Sequence, residues 1–144
     1  AVGKKIMPEA RWVQGSIFDQ HFDTKFDCAI SNPPFGAIGN LRDGYGGFEF
    51  STLAYASRIA LSGAFILPQQ STPFKYSGQR NFEDLTNTDR EPRKVRSFRD
   101  KTGIAFDFNC GIDTCFHIDD WHGVAPVCEV CTFDFTVKQG ELFS

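Results

Sequence analysis

The sequence has no excess of either charge, no apolar run of membrane length and no internal repeat. Fifteen Lys and Arg stand against 18 Asp and Glu, a net charge of −3. The surface as a whole is not a polycation, so a role on nucleic acid must rest on a local basic patch. A bilayer-spanning helix needs about 20 consecutive apolar residues, and no run approaches that. Ala1-Val2-Gly3-Lys4-Lys5 is not followed by the apolar stretch of a signal peptide, which points to a cytoplasmic protein. Low-complexity tracts are absent as well. The three histidines, His21, His117 and His122, are scattered, which suits surface or structural roles better than catalysis.

The five cysteines are poorly arranged for metal. Cys28 falls in a strand pattern and reads as a small core residue. Cys110 with Cys115, and Cys128 with Cys131, have spacings that invite a zinc reading. Yet Val127 to Phe133 reads as a strand, where residues three apart face opposite sides. Glu129-Val130 is not the turn a zinc knuckle requires. The expectation is reduced thiols and no metal site.

Aromatic and apolar residues are abundant. Hydrophobic residues make up 41% of the 144, and 16 are phenylalanine. That is enough for one good core in a single domain and too little for two. The most informative segment is Asn32-Pro33-Pro34-Phe35, directly after Phe26-Asp27-Cys28-Ala29-Ile30-Ser31, which reads as a buried strand. Proline makes up about 5% of residues on average, so a polar-Pro-Pro-aromatic run at a strand end is rare by chance. The arrangement suits an exocyclic amine on a flat ring. The Asn32 amide oxygen can accept one N–H and the Pro33 carbonyl the other. The prolines restrict φ and remove competing donors. Phe35 offers a face on which a base can stack.

Along the chain, 3–7 reads as the end of a helix stopped by Pro8, and 11–15 as a short strand with a loop at Ser16–Asp19. The strand at 26–31 and its Pro-Pro turn lead into a glycine-rich loop over 36–47, a candidate lid or substrate loop. A helix is predicted over 48–61, a buried strand over 64–68, and a helix from Asp89-Arg90-Glu91-Pro92 to Gly103. Two further strands are predicted near 104–109 and 126–137, flanking an irregular segment with Asp119-Asp120 and Trp121-His122-Gly123. Asp119-Asp120 reads as part of a polar loop and not as a metal site. Strand and helix alternate from 11 to 68, which predicts an α/β fold with a parallel sheet and crossover helices. Ligands of such sheets gather beyond the carboxyl ends of the strands, where both Ser16–Asp19 and Asn32–Phe35 lie.

The strand followed by Asn-Pro-Pro-Phe resembles the catalytic motif of the S-adenosylmethionine-dependent amino-methyltransferases, especially those acting on N6 of adenine. The likeness is strong at 32–35 and compatible over nearly the whole chain. It implies a Rossmann-like sheet in the order 3-2-1-4-5-7-6 with strand 7 antiparallel. It implies S-adenosylmethionine as cofactor and adenine in DNA or RNA as substrate. Asn32 and Pro33 would accept the amine hydrogens, with Pro34 completing the turn, and Phe35 would stack on the base. Gly15-Ser16-Ile17-Phe18 matches the loop after strand 3 that touches the cofactor's adenine. The family usually has an acidic residue where this chain has Ser16. Phe18 is placed to pack on that adenine.

The family's glycine-rich cofactor loop after strand 1 and its acidic ribose contact after strand 2 match no residues of this chain. The expectation is the carboxyl-terminal part of a longer enzyme, without strands 1 and 2 and inactive alone. The apolar edge at 26–31 would then invite self-association. Two acceptors near the amine localise its lone pair for in-line attack, so orientation and electrostatic placement carry the chemistry. A base in a duplex must first be turned out of the stack. Arg90, Arg93, Lys94, Arg96 and Arg99 crowd one predicted helix, with Lys101 near its end and Lys75 and Arg80 upstream. They form a candidate phosphate-binding face or an ordinary solvated one. The alternatives are methylation of a glutamine side-chain amide in a protein, and a non-catalytic homologue serving as a binding subunit. Phe35, where the glutamine enzymes usually have Tyr, favours a nucleobase. Cytosine N4 is disfavoured by Asn32, where that group more often has Ser.

Overall fold

A computed structural model of the chain describes residues 2–36, 44–107, 111–120 and 126–137. Its centre is a three-stranded mixed sheet of β1 (Phe26–Ser31), β2 (Ala60–Pro68) and β5 (Cys128–Asp134), in the order β1-β2-β5. β1 runs parallel to β2, with Cys28 opposite Ser62 and Ser31 opposite Phe65. β5 runs antiparallel to β2, with Phe65 opposite Cys131 and Leu67 opposite Glu129. A small hairpin joins β3 (Phe74–Lys75) and β4 (Glu83–Asp84). A short α1 (Val2–Ile6) precedes the sheet. The crossover between β1 and β2 is α2 (Phe48–Ile59), and α3 (Arg93–Thr102) follows the hairpin. None of the described helices is long and apolar enough to cross a membrane.

The core lies between the helices and one sheet face. Phe50, Leu53 and Ala54 of α2 meet Val95 and Phe98 of α3 over Phe65, Leu67 and Phe133 of the sheet. Phe50 and Phe98 have ring centroids 4.9 Å apart, and Phe65 meets Phe133 edge to face at 5.6 Å. Such aromatic pairs add about 0.5–1.5 kcal/mol beyond the area they bury. α3 ends where Gly103 takes the left-handed conformation, φ 71°, and donates its N–H to the Arg99 carbonyl at 2.8 Å. A left-handed cap of this kind is where a residue without Cβ is favoured.

Several sequence expectations are corrected. Residues 11–15 form no strand. β1 has β2 on one side, and its other edge stays unpaired among the described residues, yet 11–15 do not pair with it. Trp12 instead packs on Gly3 of α1 and donates its Nε1–H to the Met7 carbonyl at 2.9 Å. Residues 104–107 also form no ladder. They run beside β5, where Asp107 N–H donates to the Thr132 carbonyl at 3.1 Å. Residues 108–110, including Cys110, lie outside the described residues, as do 121–125 with Trp121-His122-Gly123. β1 is an edge strand rather than a buried one, with Ile30 82% exposed. Cys28 accordingly is exposed, not a core residue. Cys128 and Cys131 are buried in β5, and burial, then the charge of Glu129, push the Cys128 thiol up to about 11.

Candidate functional site

The Asn-Pro-Pro turn leaves the carboxyl end of β1, as a parallel strand followed by a crossover requires. Asn32 and Pro34 are exposed, Pro33 is buried and Phe35 is half-buried. Gly36 follows in a left-handed conformation, φ +83°, with open space around it. The backbone angle, and not crowding, is what calls for glycine there. Both polar groups of Gly36 are held by the first turn of α2. Its N–H donates to Glu49 Oε2 at 2.9 Å, and its carbonyl accepts from Phe48 N–H at 2.9 Å. The turn is thereby tied to the core helix one residue past the motif. Residues 37–43 of the glycine-rich loop lie outside the described residues.

Glu49 is the anchor that the sequence did not reveal. It is fully buried. Its Oε1 accepts from Ser71 Oγ at 3.0 Å and faces Lys94 Nζ at 3.5 Å. One carboxylate thus joins the motif turn, the end of β2 and α3. A buried charge is tolerable only with partners of this number. The available signal was a lone acidic residue between Phe48 and Phe50 in an otherwise apolar helix start.

The Ser16 loop approaches the same place. Ile17–Asp19 forms a single 3-10 turn capped by Ser16, whose Oγ accepts from Phe18 N–H at 3.3 Å. Phe18 packs edge-on against Phe48 at 5.5 Å and Tyr55 at 6.1 Å, which seats the loop on α2. The Tyr55 hydroxyl donates to the Gln20 carbonyl and closes the contact. Ser16, Ile17, Phe18, Asn32, Pro33 and Pro34 consequently line one open cleft of ≈ 370 Å³, with Phe48 and Thr52 at its wall. Phe35, expected to stack on a base, is not among the lining residues. Asn32 also borders a second hollow of ≈ 380 Å³ over the other sheet face, beside Ile30, Ala64, Ile66 and Val130.

One buried hydroxyl near the cleft has no partner. Thr52 is 7% exposed, and its Oγ1 is buried without a partner among the described residues. An orphaned buried hydroxyl costs about 1–3 kcal/mol. The flat apolar faces of Phe18, Phe48 and the two prolines suit an adenine ring. The lining among the described residues fits the adenine end of S-adenosylmethionine and nothing beyond it.

The basic face is corrected in part. Arg99 is buried and forms an ion pair with Glu91, itself buried, and it also donates to Asn87 Oδ1 at 2.9 Å. Arg96 pairs with Glu91 at 3.4 Å and donates to the Thr88 carbonyl at 2.6 Å. Arg90 pairs with Glu83, and Lys94 with Glu49. The Lys101 ammonium donates to the Gly44 carbonyl. Arg93 is exposed and has no ion pair to a described residue. The Arg99–Glu91 pair is buried and braces α3, while the side chains of Arg90 and Arg96 stay largely in solvent. Among the described residues no group of acidic, Cys or His side chains is placed to hold a metal.

Compared with known proteins, the chain matches no family model, no curated protein and no solved structure.

Proposed function

We propose that this chain carries the substrate-amine site of an S-adenosylmethionine-dependent methyltransferase acting on N6 of adenine in DNA or RNA. The observation that carries the reading is the shared cleft. The Asn-Pro-Pro turn and the Ser16–Phe18 loop are separated in sequence by the whole of β1, yet both line it. Strand order supports it as well. Parallel β1–β2 followed by antiparallel β5 is the order that strands 4, 5 and 7 take in the family the motif resembles.

The cofactor supplies the methyl group. Asn32 Oδ1 accepts one hydrogen of the target amine and the Pro33 carbonyl accepts the other, which leaves the nitrogen lone pair directed out of the ring plane. No charged base is required before attack, because the amine becomes acidic only as the new bond forms. The rigid turn, pinned through Gly36 to α2, keeps both acceptors in place, and such preorganisation is where the rate gain arises. Phe18 takes the cofactor's adenine, and Phe35 takes the face of an extruded base. Stacking of that kind contributes about 1–3 kcal/mol per base.

The test is calorimetric titration of S-adenosylmethionine into this chain and into any longer natural polypeptide that contains it, with Phe18→Ala and Asn32→Ala compared in the form that binds. Phe18→Ala is expected to weaken cofactor binding about tenfold or more. Asn32→Ala is expected to leave that affinity within about twofold while methyl transfer is lost. Equal turnover by Asn32→Ala removes Asn32 from the mechanism.

A further inference from the structure

We propose that the hollow between the segment at 11–22 and α2 is a second ligand site, suited to a small aromatic carboxylate. It has a volume of ≈ 420 Å³ and is lined by Trp12, Phe22, Phe26, Tyr55 and Ile59, with Arg11 beside them. Small-molecule sites span about 300–1,000 Å³. Gly15 and Ile17 belong both to this lining and to that of the motif cleft, so the two hollows share a wall and are otherwise separate. The proposal does not rest on the methyltransferase reading.

Two properties of the lining define the guest. The first is flat apolar surface that is accessible yet held in place. Trp12 lies against Gly3 of α1, and its Nε1–H is committed to the Met7 carbonyl. Phe22 and Phe26 meet edge to face with centroids 5.0 Å apart. Trp12 and Phe26 each remain 48% exposed, which is apolar area that a ring in the hollow would cover. Exposed apolar surface gathered in one place marks a site of binding.

The second property is charge. The Tyr55 hydroxyl already donates to the Gln20 carbonyl, and Gln20 Nε2 donates to the Ser16 carbonyl at 3.2 Å. Arg11 is exposed and has no ion pair or hydrogen bond among the described residues. It is the only cationic side chain of this lining. A free guanidinium beside an aromatic hollow is complementary to a carboxylate, which it can hold by two parallel N–H···O bonds. One guanidinium balances one carboxylate charge, whereas a phosphate dianion would be left half compensated.

The probe is indole-3-acetate, with neutral indole-3-acetamide as control. Binding is followed by protein NMR through the indole N–H resonance of Trp12, which Trp12→Phe identifies by its loss. Indole-3-acetate is expected to shift that resonance and to saturate by about 10 mM. The acetamide is expected to bind about fivefold more weakly. Arg11→Gln is expected to weaken the acetate by the same factor, to leave the acetamide unchanged and to melt at the wild-type temperature. Arg11→Lys keeps the charge and is expected to fall between wild type and Arg11→Gln. No shift of the Trp12 resonance at about 10 mM probe overturns the site. Equal affinity for acetate and acetamide, or acetate affinity untouched by Arg11→Gln, overturns the carboxylate assignment. A lower melting temperature for Arg11→Gln would show Arg11 engaged within the fold and overturn its role. All of these outcomes leave Asn32 and methyl transfer to their own test.

Discussion

At the scale of single residues, Glu49 and Asn32 divide the labour of the site. Asn32 faces the cleft, and Glu49 holds the backbone that carries it. Glu49→Ala strips the Gly36 N–H, the Ser71 hydroxyl and the Lys94 ammonium of a shared acceptor. Removing one partner of a buried charge network costs about 3–5 kcal/mol, so chemical denaturation of Glu49→Ala is expected to show a loss of that order. A change below about 0.5 kcal/mol would mean that the turn is held by other means. Asp107 illustrates the opposite sign. Burial, then the charge of Asp134, hold its carboxyl above the usual range. A raised folded-state pKa means that stability is fullest below the unfolded value of about 3.9 and is lost as pH rises through the folded one. Asp107→Asn is therefore expected to stabilise the protein at pH 7, by about 0.5 kcal/mol given its partial exposure. The gain should vanish below the carboxylate range. Equal destabilisation at both pH values, by urea unfolding, would contradict this.

Asn32-Pro33-Pro34 was legible because rare residues in a fixed order leave few alternatives. Glu49 and Thr52 were not, because a Glu and a Thr in an amphipathic helix are unremarkable until their partners, or lack of them, are known. The basic run into α3 was visible as a run, but its partners were not: Glu91, just before the helix, takes Arg96 and Arg99, and Glu83 of β4 takes Arg90.

At the scale of elements, strands depended on their neighbours and helices did not. α2 and α3 form where apolar periodicity and the Pro92 and Gly103 boundaries place them. The segments at 11–15 and 104–107 have strand-like composition but form no ladder; the first is held on α1 through Trp12, and strand propensity yields to such tertiary context. β1 keeps an unpaired edge among the described residues. Phe26 and Ile30 are exposed along it, and a row of unpaired backbone groups beside apolar side chains favours pairing with another strand. Sedimentation velocity on the isolated chain is expected to show concentration-dependent self-association that Ile30→Lys weakens. A monomer at every concentration, with or without the substitution, would contradict an adhesive edge.

At the scale of the whole molecule, the helices cover one sheet face, and the cleft opens beyond the carboxyl end of β1. That position is where parallel strands and the amino ends of helices bring loops together. The α/β character followed from the alternation of elements, while the antiparallel entry of β5 came with the family resemblance and not from periodicity. The central claim is that an amide oxygen and a main-chain oxygen direct one exocyclic amine. Its most direct test is mass spectrometry of the product after incubation of an adenine-containing oligonucleotide with isotope-labelled S-adenosylmethionine, using the form of the protein that binds this cofactor. The account predicts label in N6-methyladenine with wild-type protein and none above background with Asn32→Ala. Label in methylated glutamine, or equal N6-methyladenine from the Asn32→Ala protein, would contradict it.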